Sequence, residues 1–546
     1  MSIKRLTNLI EDLSKKNDKQ ITIEVNNDKE IIKQVLMSLE ELGYIWEKGG
    51  ELPTQWKRIY ELNTDIIIAK RTKAKIIFRD NVIAKRTRTK TICRGYDVDI
   101  SYDIKYDTLR EIIDEEIGEY LLGEMLYKTQ DNNEEDNFID EYKYLLEEGL
   151  HETQVLKYIK DKAEDVGYKT YNYKHFNVGD KLIFEFRDKL IALVEVGEDI
   201  SEGANLVVSH IDSPRLDVIV GDPIVSNNDG TFIKTQPYGG IIPQLWLDRP
   251  FVMVGKIKVD DEIKYINTGE KGHLFSITSL LPHLRGRKEV KDLSYDKLLV
   301  RMSNGTKKEL FEMLEKEYGI TKENFELADL SFVPYFKTLE MGLDKDLLMG
   351  YGHDDRSCAY AELEAILTSK PNKRTKIALF TAYEETGSGQ MSGAETQFID
   401  DIFLTLANGH MLLAREFMRN TKVISADVTG GFDSNYSSHF EDSAKAICGN
   451  GVALVPFTGL KRGNDASIKM REYIKDLCIN NDVKYQVDTT KVSESGGGTV
   501  AMFFGIRGME TMDCGVPLLS MHSPQEVLSK RDLIETYKLY KVFYEN

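Results

Sequence analysis

The stretch Leu206-Val207-Val208-Ser209-His210-Ile211-Asp212-Ser213-Pro214 constrains the chain most. Leu206 to Val208 reads as a buried strand, and Pro214 stops the turn that follows it. His210 and Asp212 stand two residues apart, and side chains at i and i+2 leave a strand on the same face. That spacing suits an imidazole that binds a metal ion and a carboxylate that fixes the ring behind it. Taken alone, the pair is a weak signal, and its ordinary reading is a polar strand end. Its weight depends on whether other strand ends supply more ligands.

The 546 residues have room for about three domains. Residues 1–130 read as a separate α+β unit: a strand at Ile21–Val25, a helix capped by Asp28 and running to Leu42, strands at Asp65–Ala69, Lys75–Phe78 and Val82–Ala84, and a helix at Tyr106–Tyr127. Lys70 to Arg94 holds ten Lys/Arg and a single acid, Asp80. Such a patch either solvates one face of a small sheet or touches an acidic surface such as nucleic acid. The net charge of −18 makes nucleic acid an unlikely partner for the chain as a whole.

Residues 131–137 are polar and acidic and read as a linker. Beyond them, 138–167 predicts two helices with Ile159, Ala163 and Val166 in the core, and Leu182–Phe186 with Leu190–Val196 predicts a hairpin. Residues 218–339 change to short strands and turns, including hairpins at Asn227–Gly230 and across Asp260-Asp261, and read as a β-rich insert. An α/β rhythm occupies 138–217 and 340–546, with strands at Lys376–Ala382, Thr421–Ala426 and Ala453–Val455 and helices at Asp355–Leu367, Ala466–Ile479 and Gln525–Tyr544. The fold class expected is α/β: a mixed sheet with helices on both faces, interrupted by the insert.

Further candidate ligands sit beside these apolar runs. His353-Asp354-Asp355-Arg356 precedes a helix, Glu384-Glu385 follows a strand, Asp427 ends one, and Met521-His522-Ser523 follows Val516–Leu519. Each has an ordinary reading: a charge pair at a helix start, a solvated Glu pair, a hydrogen-bonded core histidine. Together they form an ordered series at strand ends, where an open α/β sheet places its active site. Two histidines and three carboxylates suit a pair of borderline divalent ions, zinc first and cobalt or manganese next.

In this order the motifs resemble the aspartyl aminopeptidase family, within the dizinc metalloaminopeptidases, over about residues 138–546. The resemblance rests on Ser209–Pro214, Tyr238-Gly239-Gly240 with Trp246–Pro250, His353–Arg356, Glu384–Ser388, Ser425-Ala426-Asp427 and Leu519–Ser523. It implies a metalloaminopeptidase acting on peptides, with Asp354 between two ions, His210 and Asp427 on one, Glu385 and His522 on the other. It further implies Glu384 as general base and Asp212 as the group that orients His210. His283 of the insert resembles a family histidine that reaches a neighbouring subunit's site. Tyr238–Gly240 and Asp248–Pro250 are expected to shape the insert and its interface and not the chemistry. A homo-oligomer of dimers assembled into a tetrahedral dodecamer is implied, with the insert as oligomerisation domain.

Two substrate-binding positions depart from the pattern of members that prefer acidic N-terminal residues. Gly430 stands where those carry a histidine, and Val455 where an ungapped count puts a lysine. A neutral or apolar preference is therefore expected, although a loop bearing Lys461 and Arg462 would restore a cation. No apolar run approaches the roughly 20 residues that span a bilayer, the first residues do not resemble a signal peptide, and the five cysteines form no C-x-x-C pair. A cytoplasmic enzyme without membrane attachment is expected. A dizinc carboxypeptidase or deacylase on the same scaffold is one alternative, and a binding protein acting through its basic N-terminal domain is another.

Overall fold

The computed structural model describes residues 135–546 except 282, 285–292, 459–463, 490 and 492–497, together with the backbone of five strands nearer the N-terminus. The chain divides into two compact units, Met1–Phe138 and Ile139–Asn546. In the first, Gln20–Val25 pairs in parallel with Tyr96–Tyr102, and Thr91–Cys93, Ala74–Ile77 and Ile68–Arg71 complete one sheet. The helices expected at Asp28–Leu42 and Tyr106–Tyr127, the strand at Val82–Ala84 and most of the basic stretch lie outside the described residues.

The second unit is built on a nine-stranded sheet. Its order across the sheet is Tyr485–Val487, Val452–Val455, Glu510–Gly515, Lys422–Ser425, Ala204–His210, Thr375–Thr381, Leu190–Glu195, Lys181–Phe186 and Lys169–Thr170. Four central neighbours, Glu510–Gly515, Lys422–Ser425, Ala204–His210 and Thr375–Thr381, are mutually parallel. All residues of Ala204–His210 and of Thr375–Thr381 are buried, as expected of parallel strands covered on both faces. Alternate residues divide the work. Leu206 and Val208 pack into a core with Ile399, Ile402, Phe403 and Phe417 from the helices Phe398–Leu406 and Met411–Asn420. Asn205 and Ser209 instead bond to the Phe543 carbonyl and to Glu362, on the helices Lys530–Glu545 and His353–Thr368. Helices therefore cover both faces.

Two smaller sheets flank this one. Leu339–Met341, Leu347–Gly350, Glu526–Ser529, Pro517–Leu519 and Thr429–Gly430 form a five-stranded sheet. Residues 215–334 carry a seven-stranded sheet in the order Ile224–Asn227, Gly230–Tyr238, Arg215–Val218, Asp329–Pro334, Phe251–Val259 and Glu262–Asn267, with Leu299–Ser303 paired to Gly230–Tyr238. It has its own core around Trp246, Phe251 and Phe332. Both expected hairpins of this region form.

Two expectations need correction. Gln525–Tyr544 is not one helix: Glu526–Ser529 is a strand, and the helix starts at Lys530. Val166 is exposed, because it is the C-cap of the helix Glu152–Asp165, whereas Ile159 and Ala163 are buried. Cys358, Cys448, Cys478 and Cys514 are unpaired thiols. Among the described residues no helix is long and apolar enough to cross a membrane.

Candidate metal centre at the carboxyl ends of the parallel strands

Three strand ends and two turns converge here. His210 closes Ala204–His210, and the next residue, Ile211, donates to the Thr381 carbonyl at 2.9 Å, so the neighbouring strand ends beside it. Past Thr381 the chain turns at Tyr383 (φ 64°) into a short 3-10 turn, Glu384–Thr386. Asp427 follows Lys422–Ser425 by two residues. Asp354 and Asp355, joined by a cis peptide bond, open the buried helix His353–Thr368. His522 (φ 63°) lies in the turn between the strands Pro517–Leu519 and Glu526–Ser529.

Asp354 is central. One carboxylate oxygen lies 3.2 Å from His210 Nε2 and the other 3.3 Å from His522 Nε2. His522 Nε2 is also 3.4 Å from Glu385 Oε2, and His210 Nε2 is 3.9 Å from both Asp427 Oδ1 and Glu384 Oε2. Two donor groups result: His210, Asp355 and Asp427, and Asp354, Glu385 and His522. Within each, the ligand atoms lie within 4.8 Å of one another.

The rings are held from behind. His210 Nδ1 donates to the Asp212 carbonyl at 3.0 Å, with the Asp212 carboxylate 3.4 Å away. His522 Nδ1 donates to the Gly240 carbonyl at 2.8 Å. In both rings Nε2 is left to face the cluster. The Asp212 carboxylate accepts from the Tyr238 hydroxyl at 2.7 Å and from the Glu384 and Glu385 amides, each at 3.3 Å. Glu526 accepts from the Asp354 amide at 3.1 Å and the His522 amide at 2.7 Å.

So many buried carboxylates do not ionise independently. Burial and the neighbouring charges push Glu384 up to about 7 and Glu526 up to about 8, and raise Asp355, Glu385 and Asp427 well above the carboxylate range. Burial disfavours the charged form of Asp354 too, but the two histidines outweigh it and lower its pKa. His522 rises to about 9: burial opposes its charge, and Asp354 more than compensates. Buried Oε1 of Glu385 and Oδ1 of Asp355 have no hydrogen-bond partner. Orphaned carboxylate oxygens beside imidazole nitrogens are what divalent cations satisfy, and the N/O donor set fits zinc-like ions.

The remaining sequence candidates fall elsewhere. His283 is exposed on the inserted region and has no hydrogen bond to the cluster among the described residues. Gly430 is exposed, with open space where a side chain would start. Val455 is buried against Ala446 and Ala453, opposite Asp513 in the sheet. Lys461 and Arg462 lie outside the described residues. Tyr238 and Gly240, expected to shape only the insert, touch the centre directly, because the strand Gly230–Tyr238 ends against it. Sequence reading also passed over Asp355 and Glu526. The only signals were the doubled aspartate and an acid four residues after His522.

The family model for "Aminopeptidase I zinc metalloprotease (M18)" matches residues 145–544. A relative from Borreliella burgdorferi, named a probable M18 family aminopeptidase 1, is 33% identical over 446 residues, covering 76% of this chain and 97% of its own. The crystal structure of an M18 family aminopeptidase from Thermotoga maritima superposes with a TM-score of 0.72 at 32% identity, over 76% of this chain and 96% of that one. The mApe1 dodecamer of S. cerevisiae shares the fold, with a TM-score of 0.63 at 19% identity, over 76% of this chain and 97% of that one.

Proposed function

The chain belongs to the aminopeptidase I zinc metalloprotease (M18) family and is a zinc aminopeptidase; from that premise we propose how its site works, what it prefers and how it assembles. The centre would take two divalent ions, zinc first and cobalt or manganese next. His210 and Asp427 would hold one, Glu385 and His522 the other, and Asp354 would be shared. The observation that carries this is the Asp354 carboxylate, whose two oxygens face two different histidines at 3.2 and 3.3 Å.

Bound ions of this kind supply Lewis acidity and make a water molecule acidic enough to attack at neutral pH. Glu384 takes the proton of the attacking water as its oxygen bonds to the scissile carbonyl carbon. Glu384 then gives that proton to the leaving nitrogen as the C–N bond breaks. Asp212 holds His210 from behind through its carbonyl, keeping Nε2 turned to the cluster.

The first substrate residue is neutral or apolar. Neither the open Gly430 nor the buried Val455 offers a cation. An acidic side chain entering there loses hydration without a partner, at a cost of roughly several kcal/mol. An apolar one gains about 25 cal/mol per Å² buried. The relatives' names favour aminopeptidase over carboxypeptidase or deacylase action. The deciding experiment is kcat/KM for Leu, Met, Ala, Asp and Glu chromogenic substrates on metal-loaded enzyme, free and N-acetylated. Turnover confined to free amines, with Leu or Met ahead of Asp and Glu, supports the reading. A tenfold or larger acidic preference rejects it.

The assembly is a homo-oligomer, dimers building a dodecamer through the inserted sheet, with His283 directed at a neighbour. The dodecameric mApe1 and the exposed Leu280, Leu281 and Leu284 around His283 support this. Residues 1–130 form an accessory unit joined by the linker 131–137 to the peptidase parts, 138–217 and 340–546, with 218–339 inserted. The four unpaired thiols support a cytoplasmic location.

A further inference from the structure

Tyr238 belongs to the inserted sheet, yet its hydroxyl makes the shortest contact to Asp212, at 2.7 Å. The other donors to that carboxylate, the Glu384 and Glu385 amides, are longer, at 3.3 Å. A short hydrogen bond to an ionised oxygen outweighs long ones and sets the orientation of the carboxylate. Burial and the Asp212 charge raise the Tyr238 phenol, so it remains a donor.

The tyrosine ring is itself clamped. Arg215 is its cross-strand partner and lays its guanidinium 3.9 Å from the ring centroid. The guanidinium donates to Glu152 at 2.9 Å and to Asp217 at 2.8 Å, and Asp217 is fixed by the Ser331 hydroxyl at 2.7 Å. Lys189 Nζ reaches Glu152 at 2.9 Å and lies 5.1 Å from the ring of Tyr383, which begins the Glu384 turn. Arg215 and Glu152 are fully buried, where desolvation consumes most of the gain of an ion pair, so such a network adds little stability.

We infer that Tyr238 is a positioning residue: it fixes the Asp212 carboxylate, which holds the backbone of Glu384 and Glu385, so that the inserted sheet sets the aim of the base. This rests on Glu384 being that base, and Glu384→Gln serves as the control that tests the premise separately.

The experiment compares Tyr238→Phe, Asp212→Asn, the double variant and Glu384→Gln in the full metal-loaded chain, reading kcat, KM, bound metal and thermal transition. Tyr238→Phe is expected to lower kcat about 10–100-fold, with KM within about twofold and metal content unchanged. Asp212→Asn turns one acceptor into a donor facing one of the two amides, removes the charge, and should lower kcat as well. Adding Tyr238→Phe to it should cost much less than Tyr238→Phe does alone, because the charged acceptor that Tyr238 fixes is already gone. Unchanged kcat in either single variant overturns the inference even if the other fails to fold, as does independent multiplication of the two effects. A kcat loss explained wholly by lost metal overturns it too. If Glu384→Gln alone retains activity, the assignment of the base fails and not the positioning of the turn.

Discussion

His210, Asp427 and Asp355 reach the centre from parallel strand ends and the start of a buried helix, whereas Glu385 and His522 reach it from turns. The two histidines differ in exposure. The His210 side chain is 2% exposed and that of His522 33%. The first half leans on the main sheet, on the helix His353–Thr368 and on Asp212 behind His210. The second borrows the Gly240 carbonyl from the inserted sheet and the Glu526 carboxylate from the small one. Tyr383, Ser520 and His522 all adopt positive φ in its turns, a conformation that non-glycine residues hold only when their surroundings insist. A rigid, closed half beside an open, propped half suggests a division of labour: one keeps its ion, the other exchanges ion and substrate with solvent.

The largest predicted effect tests whether both halves serve one base. Glu384→Gln should keep both ions and lose at least about a hundredfold in kcat. Near-normal kcat would mean that Glu384 and Glu385 have exchanged roles and that the boundary between the halves is misdrawn.

The next contrast is metal retention. On dialysis against chelator, activity should be lost and then restored by zinc, cobalt or manganese, and the ion on the His522 side should leave first. Metal analysis of His522→Ala should find the open half depleted and the closed one retained. His210→Ala removes a side chain only 2% exposed, leaves a cavity in the buried part of the centre beside the shared Asp354, and should deplete both. Equal depletion of one ion in each variant would erase the distinction, and full turnover by metal-free protein would end the mechanism altogether.

The asymmetry also decided what the sequence could reveal. Leu206–Val208 and Ile377–Phe380 are unbroken apolar runs with candidate ligands shortly after them, so the sheet and its strand ends were legible. The insert showed itself through its hairpins. Gln525–Tyr544 misled because Glu526-Val527-Leu528-Ser529 flows into the next helix with no glycine or proline to break it, and only pairing with Leu347–Gly350 and Pro517–Leu519 makes it a strand. Nothing local to Tyr238 or Gly240 announces contacts with Asp212 and His522, which lie 26 and 282 residues away. Long-range hydrogen bonds leave no periodicity to read.

Glu526 sharpens the comparison at an intermediate scale. Its two oxygens hold the Asp354 and His522 amides at once, tying the shared ligand to the open half. Glu526→Gln keeps the shape but turns one acceptor into a donor that faces an amide N–H. Activity should fall about 10–100-fold, with the metal loss confined to the His522 side. Loss on the His210 side instead would show that the bridge, and not the open half, depends on this carboxylate.

The smallest effects should come from the glycines that let the inserted sheet approach. Gly239 has φ +75°, and a Cβ there would lie 2.9 Å from Glu385 Oε2 and 3.3 Å from Glu385 Cβ. The Glu385 side chain is only 3% exposed, so the oxygen has little room to retreat, and it is the atom facing His522. Gly239→Ala should therefore cost about 1 kcal/mol in backbone conformation and displace a ligand as well, lowering kcat and loosening the open half's ion. Gly240 has an ordinary φ, and its Cβ would meet only the His522 ring, with Nδ1 at 3.3 Å and Cε1 at 3.6 Å. The ring gives by a few tenths of an ångström while its bond to the Gly240 carbonyl persists, so Gly240→Ala should change kcat less than Gly239→Ala does. Measuring kcat together with the rate of metal release in the two variants ranks them. If Gly240→Ala proved the more damaging, the open half would hang on the aim of His522 and not on the seat of Glu385.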